Sequence, residues 1–250
     1  MTSTSAELLA AAEQSPRAAA AHDRAAWVGL FAADGRIEDP VGSRPHIGHP
    51  NIGRFYDTFI APRQITFNRD LDVVRGAAVV RDLTLEVVMS SGLIMHIPAY
   101  LRYDFRESEG RWEITVLRAY WELPAMVAQM LGQGAKAVPT SVQLTSALLR
   151  HQGLRGTTGF LSGFRGAGKR EKHLVESFLA AASAGDAAAM RAPSHDTDLI
   201  EQLRGARWSK LIAAGDTVVA SVTTSAGRGV MFFDIPSAAV GINEIRYYAG

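Results

Sequence analysis

The feature that most constrains the fold is a change of sequence period between residues 64 and 121. Apolar and polar residues alternate there as they do in β-strands, in four segments separated by turn signals: QITFNRDLDVV, AAVVRDLTLEVVM, GLIMHIPAYLRYDF and RWEITVLRAYWEL. Residues 5–33 are instead alanine-rich, with apolar residues at helical spacing. Helices followed by a run of antiparallel strands predict an α+β fold and not a doubly wound parallel sheet.

Local signals divide the segment that precedes these strands. Ser15 followed by Pro16 is typical of a helix N-cap and a first-turn proline, so we expect one helix to end there and another to begin. The second should reach about Ala33, before an Asp34–Gly35 turn. A short strand (RIED), a loop rich in proline and glycine, and a short helix (PNIGRFYDTFI) should then lead into the strands.

The second half of the chain weakly repeats the first. AAGDTVVASVTTS (213–225) echoes VVRGAAVVRDLTLE (73–86), and INEIRYY (242–248) echoes ITVLRAYW (114–121), in the same order. The second copy has no counterpart of EDPVGSRPHIGHPNIGRFYDTFI. We therefore predict a tandem pseudo-dimer with a degenerate second copy. The predicted divisions are residues 1–132, a helical connector rich in glycine and arginine at 133–170, and a shortened, structural domain at 171–250.

Composition excludes several classes of function. The chain has 250 residues, 26 basic and 25 acidic, and no cysteine, which removes disulfides, thiolate catalysis and cysteine zinc sites. The balanced charge gives no general attraction to nucleic acid or to an anionic membrane. No apolar run approaches the roughly 20 residues that span a bilayer. The N-terminus carries Glu7 and Glu13 and no early Lys or Arg, which is not typical of a signal peptide. We expect a cytoplasmic protein that binds no nucleic acid and needs no cofactor.

Two short motifs are coincidences. Residues 46–49 spell HIGH, a nucleotide-binding signature of class I aminoacyl-tRNA synthetases, but Pro45 and Pro50 place them in a predicted loop, and the lysine-rich second signature is missing. Residues 163–169 fit the pattern GxxxxGK, but Arg170 stands where a P-loop needs Ser or Thr for magnesium. His46 and His49 have the spacing of metal ligands, yet their loop offers no supporting cysteine, so no metal is expected.

The segments VGLFAADGRIEDPVGSRPHIGHPNIGRFYDTF and AYLRYDFRESEGRWEITVLRAYWEL resemble the ketosteroid isomerase branch of the nuclear transport factor 2-like superfamily, which is related to SnoaL-like polyketide cyclases. The resemblance covers roughly residues 15–123. It implies a cone-shaped curved sheet wrapped by helices around an apolar pocket. In that family two cones usually dimerise through their sheets. The second half would then replace the partner subunit, which leaves further homodimerisation open.

The chemistry that the resemblance implies is proton transfer next to a ketone, with Asp39 as the general base. A carboxyl in an apolar pocket has a raised pKa, and fixed donors stabilise the enolate oxygen. Both donors of the family pattern are replaced here: Ser15 stands at the donor tyrosine, Ala99 at the donor aspartic acid, and Phe31 at a supporting tyrosine. Tyr56 matches another supporting tyrosine and Trp121 a pocket tryptophan.

Three groups could supply the missing donor. They are Tyr56 turned inward, Ser15 through a bridging water, and Tyr103 at one end of a pocket-facing strand. The remaining pocket should be apolar, and its predicted substrate-binding residues are Phe31, Leu83, Leu85, Ala99, Leu101, Tyr103, Leu117, Ala119 and Trp121.

Two functions of different class stay open. The retained Asp39 and its DPVGS loop favour a steroid delta-isomerase-like enzyme acting on a steroid- or polyketide-like ketone. The loss of both donors favours a non-catalytic protein that binds a hydrophobic small molecule in the same cavity. A purely structural role would instead predict a filled cone with no cavity.

Overall fold

The computed structural model describes residues 3–89, 92–132, 168–186, 197–236 and 241–250. The chain divides into two compact units, residues 1–164 and 165–250. The division falls inside the predicted connector 133–170, most of which lies outside the described residues, as does most of the GxxxxGK segment. The predicted domain boundaries and the pseudo-dimer therefore stay predictions.

The first unit combines helices with one largely antiparallel sheet, so the predicted α+β class is confirmed. Its helical elements are α1 (Ser3–Ala20), α2 (Arg24–Gly29), α3 (Gly48–Phe55), a π-helical turn (Tyr56–Ile60) and α4 (Leu123–Leu131). Its strands are β1 (Phe31–Glu38), β2 (His46–Ile47), β3 (Gln64–Arg75), β4 (Ala78–Val88), β5 (Ile94–Ser108) and β6 (Arg111–Tyr120).

The six strands form one sheet in the order β2-β1-β6-β5-β4-β3. All neighbours are antiparallel except β1 and β6, which run parallel. The register shifts between Arg69 and Leu71 and between Asp104 and Phe105, irregularities that bend a strand. The apolar core lies between one face of this sheet and the helices.

The predicted helix break at Ser15–Pro16 is wrong, because α1 continues through Pro16. A proline costs an interior helix one hydrogen bond, and here the buried face of α1 offsets that loss. Leu8, Ala12 and Ser15 on that face are all at most 3% exposed. The second helix begins instead at Arg24, where Asp23 accepts a hydrogen bond from the Ala26 backbone N–H (2.9 Å).

The second helix is shorter than predicted, and the strand after it is longer. Helix α2 ends at Gly29, and β1 already begins at Phe31. The Asp34–Gly35 signal marks a shift in the pairing of β1 with β6 rather than a turn. A Cβ at Gly35 would lie 2.8 Å from the Ala32 carbonyl oxygen and 3.0 Å from that of Ile114, so the close approach of the two strands requires glycine.

The predicted loop around HIGH is also partly wrong. Residues His46 and Ile47 pair antiparallel with β1, and α3 begins at Gly48. Pro50 fits within the first helical turn, where its missing N–H would have no partner in any case. The His46 ring lies 5.2 Å from the Phe55 ring, and His49 Nε2 donates to the Phe31 carbonyl (2.8 Å). Both histidines thus make contacts inside the first unit.

The second unit contains the helices α5 (Lys169–Ala184) and α6 (Thr197–Gln202) and the strands β7 (Arg207–Ala214), β8 (Thr217–Thr224), β9 (Gly227–Asp234) and β10 (Glu244–Ala249). The strands form an antiparallel sheet in the order β10-β9-β8-β7, the same meander as β6-β5-β4-β3. Within the described residues, no strand of this unit corresponds to β1 or β2. A degenerate second copy fits this arrangement.

Candidate functional site

An apolar cavity lies between the sheet and the helices of the first unit. Its volume is about 130 Å³. The residues that line it are Ser15, Trp27, Asp39, Phe55, Phe59, Ile60, Arg63, Ile65, Phe67, Leu85, Val87, Met89, Met95, Ile97, Leu101, Tyr103, Leu117, Trp121, Met126 and Met130. Apart from the two indoles, only Ser15, Asp39, Arg63 and Tyr103 bring polar groups. Such a wall suits an apolar ligand oriented by a few polar contacts.

Asp39 enters the cavity because of the pairing between β1 and β6. It directly follows β1, and beyond it the Val41 backbone N–H donates to the Ala119 carbonyl (2.9 Å), which fixes the chain beside β6. Trp121 follows β6, and its Nε1–H donates to Asp39 Oδ1 (2.6 Å). The second carboxylate oxygen has no side-chain donor among the described residues.

Burial in apolar surroundings raises the pKa of Asp39 from its ordinary value of 3.8 to about 6. The hydrogen bond from Trp121 opposes this rise, because it stabilises the charged form. The carboxyl is therefore largely ionised at neutral pH but remains far more basic than an exposed aspartate. A base of this strength is suited to taking a proton from carbon and returning it.

Ser15 and Tyr103 provide the hydroxyl groups of the cavity. Both side chains are buried, Ser15 on α1 and Tyr103 on β5. Burial raises the pKa of Tyr103, opposed first by Arg81 and then by the nearby Ser15 hydroxyl. The Tyr103 oxygen nevertheless completes no hydrogen bond with well-formed geometry among the described residues. A buried phenol with this unused capacity is a candidate donor for a ligand oxygen.

A buried ion network supports this side of the cavity. Arg81 on β4 is 2% exposed and bonds Asp72 of β3 through Nε (2.8 Å) and Nη2 (3.0 Å). Its Nη2 also lies 3.0 Å from Glu13 Oε2 on α1. Because Glu13 is two residues from Ser15, this network fixes the rotation of α1 that directs Ser15 inward.

Tyr56 is not brought to the cavity beside Asp39, so its predicted inward turn is not seen. Its side chain is 2% exposed and packs against Trp27, with ring centroids 5.5 Å apart. Burial raises the pKa of Tyr56, and Asp23 and Asp57 raise it further, which places the hydroxyl on the side of those carboxylates. It forms no hydrogen bond among the described residues. Tyr56 contributes to the packing of the aromatic wall.

The other predicted binding residues divide into two groups. Leu85, Leu101, Leu117 and Trp121 line the cavity. Phe31, Leu83, Ala99 and Ala119 are instead buried in the core around it. The alanine side chains are too short to reach a ligand past their neighbours, and Phe31 packs against Trp27 (centroids 5.1 Å apart), which forms the wall in its place.

Sequence reasoning missed Arg63, Met126 and Met130 in the cavity wall. Arg63 follows Pro62 in a turn before β3, a position where arginine usually faces water. Met126 and Met130 lie four residues apart on α4, a spacing that places both on one helix face. This spacing was the signal in the sequence that could have identified the two methionines. Helix α4 lies within the predicted first domain, residues 1–132.

Neither a metal-binding cluster nor a membrane-spanning helix is found among the described residues. No group of three or more His, Asp or Glu side chains is arranged to hold a metal ion there. No described helix combines the length and hydropathy needed to cross a bilayer.

Several solved structures are similar to about half of this chain, and the matched region covers nearly the full length of each of them. One is a Mycobacterium tuberculosis protein, RV0760c, in complex with estradiol-17β-hemisuccinate, at 28% identity over 47% of this chain and 95% of that one, with a TM-score of 0.43. Another is a Δ5-3-ketosteroid isomerase from Mycobacterium sp., at 27% identity over 48% and 96%, with a TM-score of 0.44. A third is a putative polyketide cyclase from Xanthomonas campestris, at 16% identity over 49% and 96%, with a TM-score of 0.44.

No curated protein matches this chain significantly in sequence. Residues 7–93 match the sequence model of the nuclear transport factor 2 (NTF2) domain, and they cover α1 to β4 together with the Asp39 loop. Residues 7–93 of the first unit therefore form a domain of the nuclear transport factor 2-like superfamily, in agreement with the resemblance predicted over residues 15–123.

Proposed function

We propose that the cavity of the first unit catalyses proton transfer on a hydrophobic ketone, steroid-like or polyketide-like, with Asp39 as the general base. One observation carries the proposal: a carboxyl in an apolar cavity whose pKa is raised to about 6 and which accepts a hydrogen bond from a single indole. The reaction is an isomerisation of the ketosteroid isomerase type, in which a double bond moves into conjugation with the carbonyl.

The proton leaves and returns through the same carboxyl. Trp121 holds Oδ1, so the other oxygen of Asp39 takes the proton next to the carbonyl, and the C–H electron pair forms the enolate. The protonated Asp39 then gives this proton to the far carbon of the dienolate, which restores the carbonyl and moves the double bond. No oxidant, reductant or added group is needed, and the carboxylate is regenerated.

The enolate oxygen needs a donor, and we propose Tyr103 for this role rather than Tyr56. Tyr103 lines the cavity with its hydroxyl unsatisfied, and its raised pKa keeps that hydroxyl protonated at neutral pH. Ser15 lines the same cavity and can support it directly or through a water. One oxyanion donor typically contributes about 10²–10³ in rate.

A binding protein without catalysis is the second candidate. The observation that favours it is Ala99, which has no donor group and lies in the core rather than in the cavity wall. The cavity would then hold a hydrophobic ligand, and Asp39 would serve only as a hydrogen-bond acceptor.

A spectroscopic assay with the β,γ-unsaturated ketosteroid 5-androstene-3,17-dione separates the two. We expect the native protein to form the conjugated isomer and Asp39→Asn to lose this activity. Asp34→Asn is the matched control, because Asp34 lies exposed on β1 and pairs with Arg106 outside the cavity. Steroid binding without turnover in the native protein would support the binding protein, and turnover that survives Asp39→Asn would refute the assigned base.

A further inference from the structure

Arg63 is a cation in the wall of this mainly apolar cavity. Its Nη1 donates to the carbonyl oxygens of Thr58 (2.8 Å) and Phe59 (2.7 Å), and its Nε donates to the Met89 thioether (3.3 Å). Its guanidinium carbon lies 5.9 Å from the centre of the Phe59 ring. No carboxylate lies within ion-pair distance of Arg63 among the described residues, whereas Arg24, Arg69, Arg81, Arg102, Arg106 and Arg118 each have one.

The guanidinium retains its charge in this position. Burial lowers the pKa of Arg63 to about 10, which still leaves it protonated at neutral pH. A charge removed from water without a partner is costly, and an anion beside it recovers part of that cost. The cavity wall is therefore better suited to a ligand with a negative group than to a fully neutral one.

The Arg63 donors that are not bonded to a carbonyl oxygen, Nε and Nη2, have the geometry needed to bind an oxyanion. Both N–H groups of Nη1 are used by the two carbonyls, while Nη2 makes no hydrogen bond within the described part of the chain. The Nε–H is bonded only to sulfur, which is a weak acceptor. An anionic oxygen could displace that sulfur, so that Nε and Nη2 together bind two oxygens of one group, the favoured geometry for arginine.

Arg63 and Asp39 lie at different levels of the cavity. Arg63 contacts Met89, beyond the point where Val87 pairs with Met95, whereas Trp121 follows Tyr120, which pairs with Tyr100. Along β5 the two levels are separated by at least the four steps from residue 95 to residue 99, roughly 13 Å of strand. The apolar side chains of Leu85, Val87 and Ile97 line the space between.

We propose that Arg63 anchors an anionic oxygen group, a carboxylate or a sulfate ester, carried by the same apolar ligand whose ketone lies at Asp39. The proposal rests on the proposed function for the ligand skeleton only. It makes the substrate class an amphipathic keto acid or keto sulfate with its two polar ends separated by an apolar body.

A set of matched probes tests this: testosterone 17-hemisuccinate, testosterone sulfate and the methyl ester of the hemisuccinate. Binding can be followed by the fluorescence of Trp27 and Trp121 in the cavity wall. We expect one or both anions to bind at least about tenfold more tightly than the neutral ester, as a charge-assisted hydrogen bond should give. Equal or tighter binding of the ester, or no binding of any probe, would overturn the proposal. The comparison between the two anions shows which group the site prefers.

Variants assign the effect to Arg63. Arg63→Gln should abolish the preference for the anion, and Arg63→Lys should keep part of it, because lysine retains the charge but not the planar fork. Arg54→Gln is the matched control, since Arg54 lies exposed on α3 near the same turn. An anion preference that survives in Arg63→Gln would refute the anchor.

The preference for anionic ligands must be distinguished from effects of the substitutions on folding and on catalysis. Arg63→Gln removes bonds to two carbonyls, so its thermal unfolding is measured first; where it does not fold, the native protein and Arg63→Lys decide. The anchor is tested by binding alone. Turnover of the neutral ketosteroid without an anion preference would overturn the anion anchor at Arg63 and support the isomerase activity. An anion preference without turnover would support the anchor and overturn the isomerase activity.

Discussion

Replacing Asp39 by asparagine should change how the stability of the first unit depends on pH. The folded protein holds the pKa of this carboxyl at about 6, against 3.8 for an ordinary aspartate. The folded state therefore binds its proton more tightly than the unfolded state does. The extra stability is fully present below about pH 4 and is lost as the pH rises through the folded-state pKa.

The magnitude follows from the size of the shift. The pKa is displaced by about 2 units, and one unit corresponds to 1.36 kcal/mol, so the group costs the folded state about 3 kcal/mol at neutral pH. Roughly half of this is lost between about pH 5 and about pH 7.5. Asparagine does not titrate and keeps an oxygen that can accept from Trp121.

Urea unfolding followed by tryptophan fluorescence measures the effect. A Trp208→Phe background removes the signal of the second unit and leaves Trp27, Trp112 and Trp121 to report on the first. We expect the free energy of unfolding of the aspartate protein to fall by about 1.4 kcal/mol more than that of Asp39→Asn between about pH 5 and about pH 7.5. Any constant cost of the asparagine amide cancels in this difference. Parallel pH profiles for the two proteins would refute a raised pKa at Asp39.

Three further changes test other contacts of the site. Trp121→Phe removes the donor that holds the pKa of Asp39 down, so the rise of kcat/KM with pH should move above about pH 6; an unchanged pH profile would contradict the role of that bond. Tyr103→Phe should lower kcat by about 10²–10³ with little change in thermal stability, because its hydroxyl is unsatisfied; full activity would exclude it as the oxyanion donor. Arg81→Met should destabilise the first unit by about 3–5 kcal/mol in urea unfolding, since it leaves Asp72 and Glu13 without their cation. A loss below about 1 kcal/mol would show that this ion network contributes no more to stability than an exposed salt bridge does.

Strand alternation explains why much of the fold and part of the cavity could be predicted. Side chains of one strand alternate between two faces, so the period of residues 64–121 predicted the meander and directed Leu85, Leu101 and Leu117 inward. Alternation does not predict how far each side chain extends toward the cavity. Ala99 and Ala119 are on the predicted face but remain in the core, because the length of a side chain decides whether it reaches the cavity.

The site residues on helices were harder to predict, because the sequence did not determine which face of the helix each residue occupies. Tyr56 begins a π-helical turn, in which the rotation per residue is smaller than in an α-helix, so the face that a helical wheel assigns to the hydroxyl no longer applies. Pro16 indicated a helix start but lies inside α1, which left Ser15 on a buried face. Arg63 gave no signal at all, because a single arginine after a proline has the same pattern whether it faces water or a cavity.

The hydrogen bond between Trp121 and Asp39 also has a consequence for the order of folding. It joins residues 82 positions apart and depends on parallel pairing of β1 with β6, the first long strand of the unit with its last. Closing so long a loop is entropically costly and slow compared with forming the neighbouring hairpins β3–β4 and β4–β5. The hairpins can therefore form early, while the base meets its donor only when β6 has docked. A nascent chain that ends before residue 111 would carry Asp39 but no site.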